Sequence, residues 1–113
     1  MVAKYVPERG DLVWLTFSPQ SGHEQAGRRP GIVLSPASYN RRAGLALFCP
    51  ITSRSKGYPF EVAIPEGLKV SGVVLSDQLR SLDWQVRSAE FADGAPAALI
   101  EEVIAKACTL LRG

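Results

Sequence analysis

Between two apolar runs, Asp11–Phe17 and Gly31–Leu34, lies a polar stretch from Ser18 to Pro30 that reads S-P-Q-S-G-H-E-Q-A-G-R-R-P. It carries the chain's only histidine, His23, with Glu24, Gln25 and the adjacent guanidiniums of Arg28 and Arg29. A second polar stretch, Thr52–Pro59, adds Thr52, Ser53 and Lys56. Long loops without structure of their own are uncommon in compact domains and are usually functional or disordered. These residue types suit phosphodiester cleavage without a metal. When RNA is cut through its own 2′-OH, a base takes the 2′ proton and an acid protonates the leaving 5′ oxygen. Donors must also stabilise the dianionic phosphorane. Arg presents planar paired donors to phosphate oxygens, and a Thr hydroxyl adds another.

Each group also has a plainer reading. Histidine-based ribonucleases typically use two such groups, and this chain has one, so His23 reads better as a surface loop residue. On residue types alone, Glu24 and Arg29 could equally be a surface ion pair, and Thr52 is ordinary at a strand end. Phe17 and Tyr58 could stack bases, although core packing is the commoner fate of such rings. One His and two distant cysteines, Cys49 and Cys108, cannot build a zinc site, and no carboxylate cluster resembles a calcium loop. No GxxxxGK[ST] or GxGxxG occurs, so neither a metal nor a nucleotide cofactor is expected. A Cys49–His23 nucleophile pair is disfavoured because Cys49 sits within an apolar strand.

With 113 residues, 46% hydrophobic and 21% charged, the chain reads as one globular domain over residues 1–113, which excludes disordered, collagen-like and coiled-coil classes. No apolar run approaches the roughly 20 residues that span a bilayer. The N-terminal M-V-A-K-Y-V-P-E-R-G has no apolar core of a secretion signal. Free thiols in apolar contexts then point to a reducing cytoplasm and no membrane. Charge is unevenly distributed. From Gln25 to Phe60 the charged residues are Arg28, Arg29, Arg41, Arg42, Arg54 and Lys56, with no acid among them. Such a segment can attract a polyanion, or be plain solvated surface.

The elements that must hold these groups are mostly strands. Asp11–Phe17 alternates and is rich in β-branched and aromatic residues. Gly31–Ser35, Leu45–Ile51, Phe60–Ile64 and Ser71–Asp77 read as further strands. Pro50 suggests a bulge or strand end. Leu79–Leu82 extends the fifth strand or stands alone, and Val86–Ala89 is a weaker candidate. One helical turn is expected near Ser38–Arg41. Toward the C-terminus Leu99, Ile100, Val103, Ile104, Ala107, Leu110 and Leu111 recur at helical spacing. Asp93 or Gly94 could cap that helix, with Pro96 in its first turn. The pattern predicts a mainly β protein with helices (α+β), a small curved sheet or barrel closed by a C-terminal helix.

The motifs themselves carry a resemblance. R-G-D-L-V-W-L-T-F-S-P (Arg9–Pro19), S-G-H-E-Q-A-G-R-R-P (Ser21–Pro30), V-L-S-P (Val33–Pro36), P-I-T-S (Pro50–Ser53), S-K-G-Y-P-F-E-V (Ser55–Val62) and D-Q-L-R-S-L-D (Asp77–Asp83) run in order over about residues 5 to 85. In this combination the chain resembles the MazF/PemK toxins of type II toxin–antitoxin systems. The resemblance implies an SH3-like small barrel of the MazF/CcdB type, assembled as a homodimer. It implies a sequence-specific, metal-independent endoribonuclease that cuts single-stranded mRNA to 2′,3′-cyclic phosphate and 5′-OH ends. A cognate MazE-like antitoxin would block the RNA groove. Residue by residue, Arg29 and Thr52 match the family's catalytic pair and Glu24 an active-site carboxylate. Phe17, Gln25, Arg28, Ser53, Lys56, Asp77 and Gln78 fall where RNA is bound or the groove is lined, Arg28 being the less settled match. A guanidinium is a poor base at neutral pH. Arg29 is therefore expected to stabilise the phosphorane and donate a proton, with Glu24 as base or as the group orienting Arg29. The alternative is a CcdB-like toxin on the same fold that poisons a protein such as gyrase. The E-Q-x-G-x-R-P loop and the non-aromatic C-T-L-L-R-G tail argue against it.

Overall fold

The computed structural model describes residues 4–17 and 27–113. His23, Glu24 and Gln25 therefore lie outside the described residues, as does most of the Ser18–Pro30 stretch. The chain order is β1 (Asp11–Thr16), β2 (Arg28–Val33), α1 (Ala37–Ala43), β3 (Leu45–Thr52), β4 (Glu61–Ala63), β5 (Val73–Leu75), β6 (Arg80–Asp83), β7 (Glu90–Gly94) and α2 (Ala97–Arg112). All pairings are antiparallel, in the order β4-β5-β3-β2-β1-β7, with β6 also on β3. The expected mainly β, α+β architecture with a C-terminal helix is present. The barrel needs correction: among the described residues β4 does not pair with β7, so the sheet is not closed.

Side chains alternate across a strand, so β1 to β3 feed two cores. Leu12, Ile32, Cys49 and Ile51 bury one face with Val62, Val74, Leu99 and Val103. Val13, Leu15, Phe17, Val33 and Phe48 bury the other with Leu82 and Trp84. The apolar stripe of α2 packs through Leu99, Val103 and Ala107, while Leu110 and Leu111 are exposed. Its register therefore stops short of the last turn.

Several expected boundaries shift. β2 begins at Arg28 rather than Gly31, so the polar stretch gives up three residues to the sheet. β4 and β5 are three residues each, shorter than the apolar runs that contain them. Residues 84–88 form a turn, and the seventh strand follows at Glu90–Gly94, which has no apolar alternation to reveal it. Asp93 is consequently a strand residue and caps nothing: α2 starts at Ala97, with Pro96 at its N-cap and no side-chain cap. The Asp93 carboxylate instead accepts the Lys69 amide at 2.9 Å, which, as the leading cause, holds its pKa below the ordinary carboxylate value. α1 extends to seven residues because Asn40 is engaged from both ends. Its amide donates to Pro7 O at 2.8 Å and Ser35 O at 3.0 Å, and its carbonyl side chain accepts from Ser35 Oγ at 2.6 Å. The Trp84 indole N–H donates to its backbone carbonyl at 3.0 Å.

Candidate active site

Strand register explains why Arg29 and Thr52 meet. Gly31 pairs with Pro50, Ile32 with Cys49 and Val33 with Phe48. Continued by two residues, the same register sets Arg29 opposite Thr52 on one face of the sheet. The hydrogen-bonded ladder stops short of them, and Pro30 and Pro50 have no N–H to prolong it. On its other edge β3 pairs with β6 over Leu45–Phe48 and with β5 over Ile51–Thr52. That contact requires a glycine. At Gly72 φ is +120°, and a Cβ would lie 2.2 Å from the Thr52 carbonyl oxygen.

Three clefts converge on Arg29 and Thr52. The largest, about 590 Å³, is bounded by Trp14, Ser53, Arg54, Lys69 and Ser71. A second, about 300 Å³, takes in Arg54, Lys56, Tyr58, Glu61, Asp77 and Gln78. The third, about 150 Å³, runs past Phe17, Pro50, Gln78 and Arg80. Arg29, Ser53, Arg54, Lys56, Asp77 and Gln78 are exposed there, and Thr52 is half-buried. Thr52 Oγ accepts the Arg54 amide at 3.1 Å, and among the described residues its hydroxyl proton has no acceptor.

The Lys56 loop has a carboxylate at its centre. Glu61 accepts Ser55 Oγ at 2.8 Å, the Lys56 amide at 3.0 Å and the Gly57 amide at 3.1 Å. The Lys56 amide is the first cause of its lowered pKa, ahead of the Ser55 hydroxyl. Lys106 of α2 clamps the same loop from outside, donating to Pro59 O at 2.6 Å.

Not every expected residue reaches these clefts. Arg28, next to Arg29, points its guanidinium to Ser88 O at 2.9 Å and pairs with Glu90 at 3.1 Å. Arg87 donates to Thr16 O at 3.0 Å and Phe17 O at 2.8 Å. Together they tie both stems of the 18–26 segment to the 84–88 turn, an internal role for Arg28. Arg41 and Arg42 occupy the last turn of α1, where cations suit the helix dipole, and line none of the three clefts. The one-sign segment is thereby divided. Phe17 is 5% exposed, with the Arg80 guanidinium 5.8 Å from its ring centroid, so it offers little open stacking face. Cys49 is fully buried, and burial followed by the charge of Asp77 pushes its thiol up to about 12. That disposes of it as a nucleophile. Among the described residues no group of His, Cys, Asp and Glu could hold a metal ion.

Sequence reasoning missed Trp14, Lys69 and Arg80 as cleft residues. Arg80 had a signal, being two residues from Gln78 on a strand edge. Lys69 had none, because its place depends on the Asp93 anchor.

Residues 8–111 match the model of the PemK-like, MazF-like toxins of type II toxin–antitoxin systems. The chain belongs to this family. A curated relative, the endoribonuclease toxin MazF of Escherichia coli K12, is 52% identical over 89 residues, covering 79% of each chain. The E. coli endoribonuclease toxin ChpB is 40% identical over 110 residues, covering 92% of this chain and 93% of its own. Among solved structures, MazF from Deinococcus radiodurans superposes with a TM-score of 0.88 at 60% identity, covering 96% and 98% of the two chains. A MazE–MazF structure from the same organism gives 0.86 at 54% identity, with the same coverage. The family's fold is thus the open antiparallel sheet and C-terminal helix described above.

Proposed function

We propose that this toxin is an endoribonuclease that cuts single-stranded RNA at the Arg29–Thr52 pair. The observation that carries the reading is the convergence of three clefts on that pair, bordered by Arg54, Lys56, Lys69 and Arg80. A phosphate placed there would meet Arg29's paired N–H donors and the Thr52 hydroxyl. The 2′ oxygen attacks phosphorus, the P–O5′ bond breaks, and the 5′ oxygen leaves as a hydroxyl. The other product carries a 2′,3′-cyclic phosphate. Arg29 stabilises the phosphorane and supplies the leaving-group proton, and Glu24 takes the 2′ proton. Gln25, Ser53, Lys56, Asp77 and Gln78 contact flanking nucleotides, and Phe17 supports Arg80. No metal or cofactor enters this scheme.

The gyrase-poison alternative loses its support, because curated relatives such as MazF, PemK and ChpB are named endoribonucleases. A MazE-like antitoxin is the proposed inhibitor: the Deinococcus MazF has been crystallised with MazE, and an acidic segment would complement the cationic rim. A homodimer in the cytoplasm completes the proposal on the strength of the family resemblance. Among the described residues no helix is long and apolar enough to cross a membrane.

The test is incubation of the purified protein with a long single-stranded RNA in EDTA, followed by mapping of the 5′ ends. Sharp cuts at one short motif, absent with Arg29→Ala, support the reading, and intact RNA overturns it. Affinity should also fall steeply with salt if these cations bind phosphates.

A further inference from the structure

Trp14 has an unusual setting for a large aromatic residue in a short strand. Its neighbours Leu12, Val13 and Leu15 are fully buried, yet Trp14 is 39% exposed. The other tryptophan, Trp84, is 7% exposed and its indole N–H is bonded within the fold. Trp14 faces Pro30 across β1 and β2, one residue from Arg29, and borders the largest of the three clefts. Among the described residues the charged groups lining that cleft are Arg29, Arg54 and Lys69, with no carboxylate. At about 590 Å³ it falls within the ~300–1,000 Å³ range of small-ligand sites.

We infer that Trp14 stacks on an unpaired RNA base flanking the cut phosphate and sets substrate affinity on that side. The inference rests on the nuclease reading and extends it to a residue outside the catalytic pair. An indole is a broad π-face, and an open aromatic beside cations is how single-strand binders hold successive bases. Lys69 is well placed for the neighbouring phosphate because its backbone is pinned to Asp93. The buried Phe17 offers no comparable face, so Trp14 takes the stacking role on this side of Arg29.

The experiment uses the full chain and an RNA containing the mapped cut site, with a second copy carrying a 2′-deoxy substitution there to block cleavage. Binding of the blocked RNA should quench the wild-type tryptophan fluorescence. Trp14→Phe, which leaves only the buried Trp84, should lose most of that quench. Trp14→Ala should raise KM roughly tenfold, in the range of one lost base–aromatic stack, with a smaller effect on kcat. Wild-type cleavage without any fluorescence change, or an unchanged KM in Trp14→Ala, overturns the inference and leaves the nuclease reading standing. A shift in oligomeric state on Trp14→Ala with unchanged RNA affinity also overturns it, because Trp14 would then be a subunit contact. Absence of both cleavage and quenching in the wild type overturns the two together.

Discussion

At the α1 corner and at the Arg29–Thr52 end, this sheet carries polar side chains in opposite states. Around Asn40 each side-chain donor and acceptor is matched inside the protein, and the residue is fully buried. At the other end Arg29 is exposed, and the Thr52 hydroxyl keeps its proton unassigned. Matched, buried polar groups specify a fold, because leaving one unpaired is costly. Exposed donors held by a rigid strand register contribute little to stability and remain available for an anion. The contrast recurs within one dipeptide. Arg28 bonds to the 84–88 turn and Glu90, whereas Arg29 opens into the clefts.

The largest expected effect breaks the chemistry and spares the fold. Arg29→Lys keeps the charge but loses the planar fork. We expect kcat to fall about a hundredfold or more, the scale of losing an oxyanion donor, with an unchanged melting temperature. Equal losses of activity and stability would place Arg29 with the structural group.

Asn40→Ala should do the reverse. It strands the Ser35 hydroxyl and the carbonyls of Pro7 and Ser35 in the interior, so we expect a loss of about 2–4 kcal/mol in urea unfolding. Cleavage per folded molecule should stay near wild type at low temperature.

Acid sharpens the comparison from the cleft side. Glu61's folded pKa lies below its ordinary value of 4.5, chiefly through the Lys56 amide. A depressed carboxylate contributes stability above the unfolded pKa and loses it as pH falls through the folded value. The Ser55–Tyr58 loop should therefore loosen below about pH 4.5, read as faster amide exchange at Lys56 and Gly57. Glu61→Gln should show that exchange already at neutral pH.

The smallest effect concerns the one buried side-chain polar atom without a partner among the described residues, Ser76 Oγ. Ser76→Ala should change stability by about 0.5 kcal/mol or less, or raise it slightly, because no hydrogen bond is lost. A drop of 2 kcal/mol or more would reveal a bound water there.

Much of the fold was legible wherever periodicity was strong. The alternation in β1 and the helical stripe in α2 announce themselves, because one face of each must leave water. β7 escaped notice: Glu90–Gly94 lacks alternation and is held by pairing with β1, a property of the partner rather than of its own residues. The candidate site was partly legible in the same way. Glu24, Gln25, Arg29 and Thr52 stand out by type and motif, and those motifs led to the family. The side on which each charge lies did not, since strand register, proline positions and remote anchors decide it.

By itself the sequence determined the main strands and the final helix, and it singled out Glu24, Arg29 and Thr52 by residue type and motif. Tertiary structure alone decided that Arg29 faces the clefts while Arg28 is tied down, that the sheet stays open, and that Trp14 and Lys69 line the largest of the three clefts. The reason is geometric. Local propensity acts over a few residues, whereas Arg29 and Thr52 are brought together by a ladder that starts at Val33 and Phe48. A pairing between distant strands cannot be read from either strand alone.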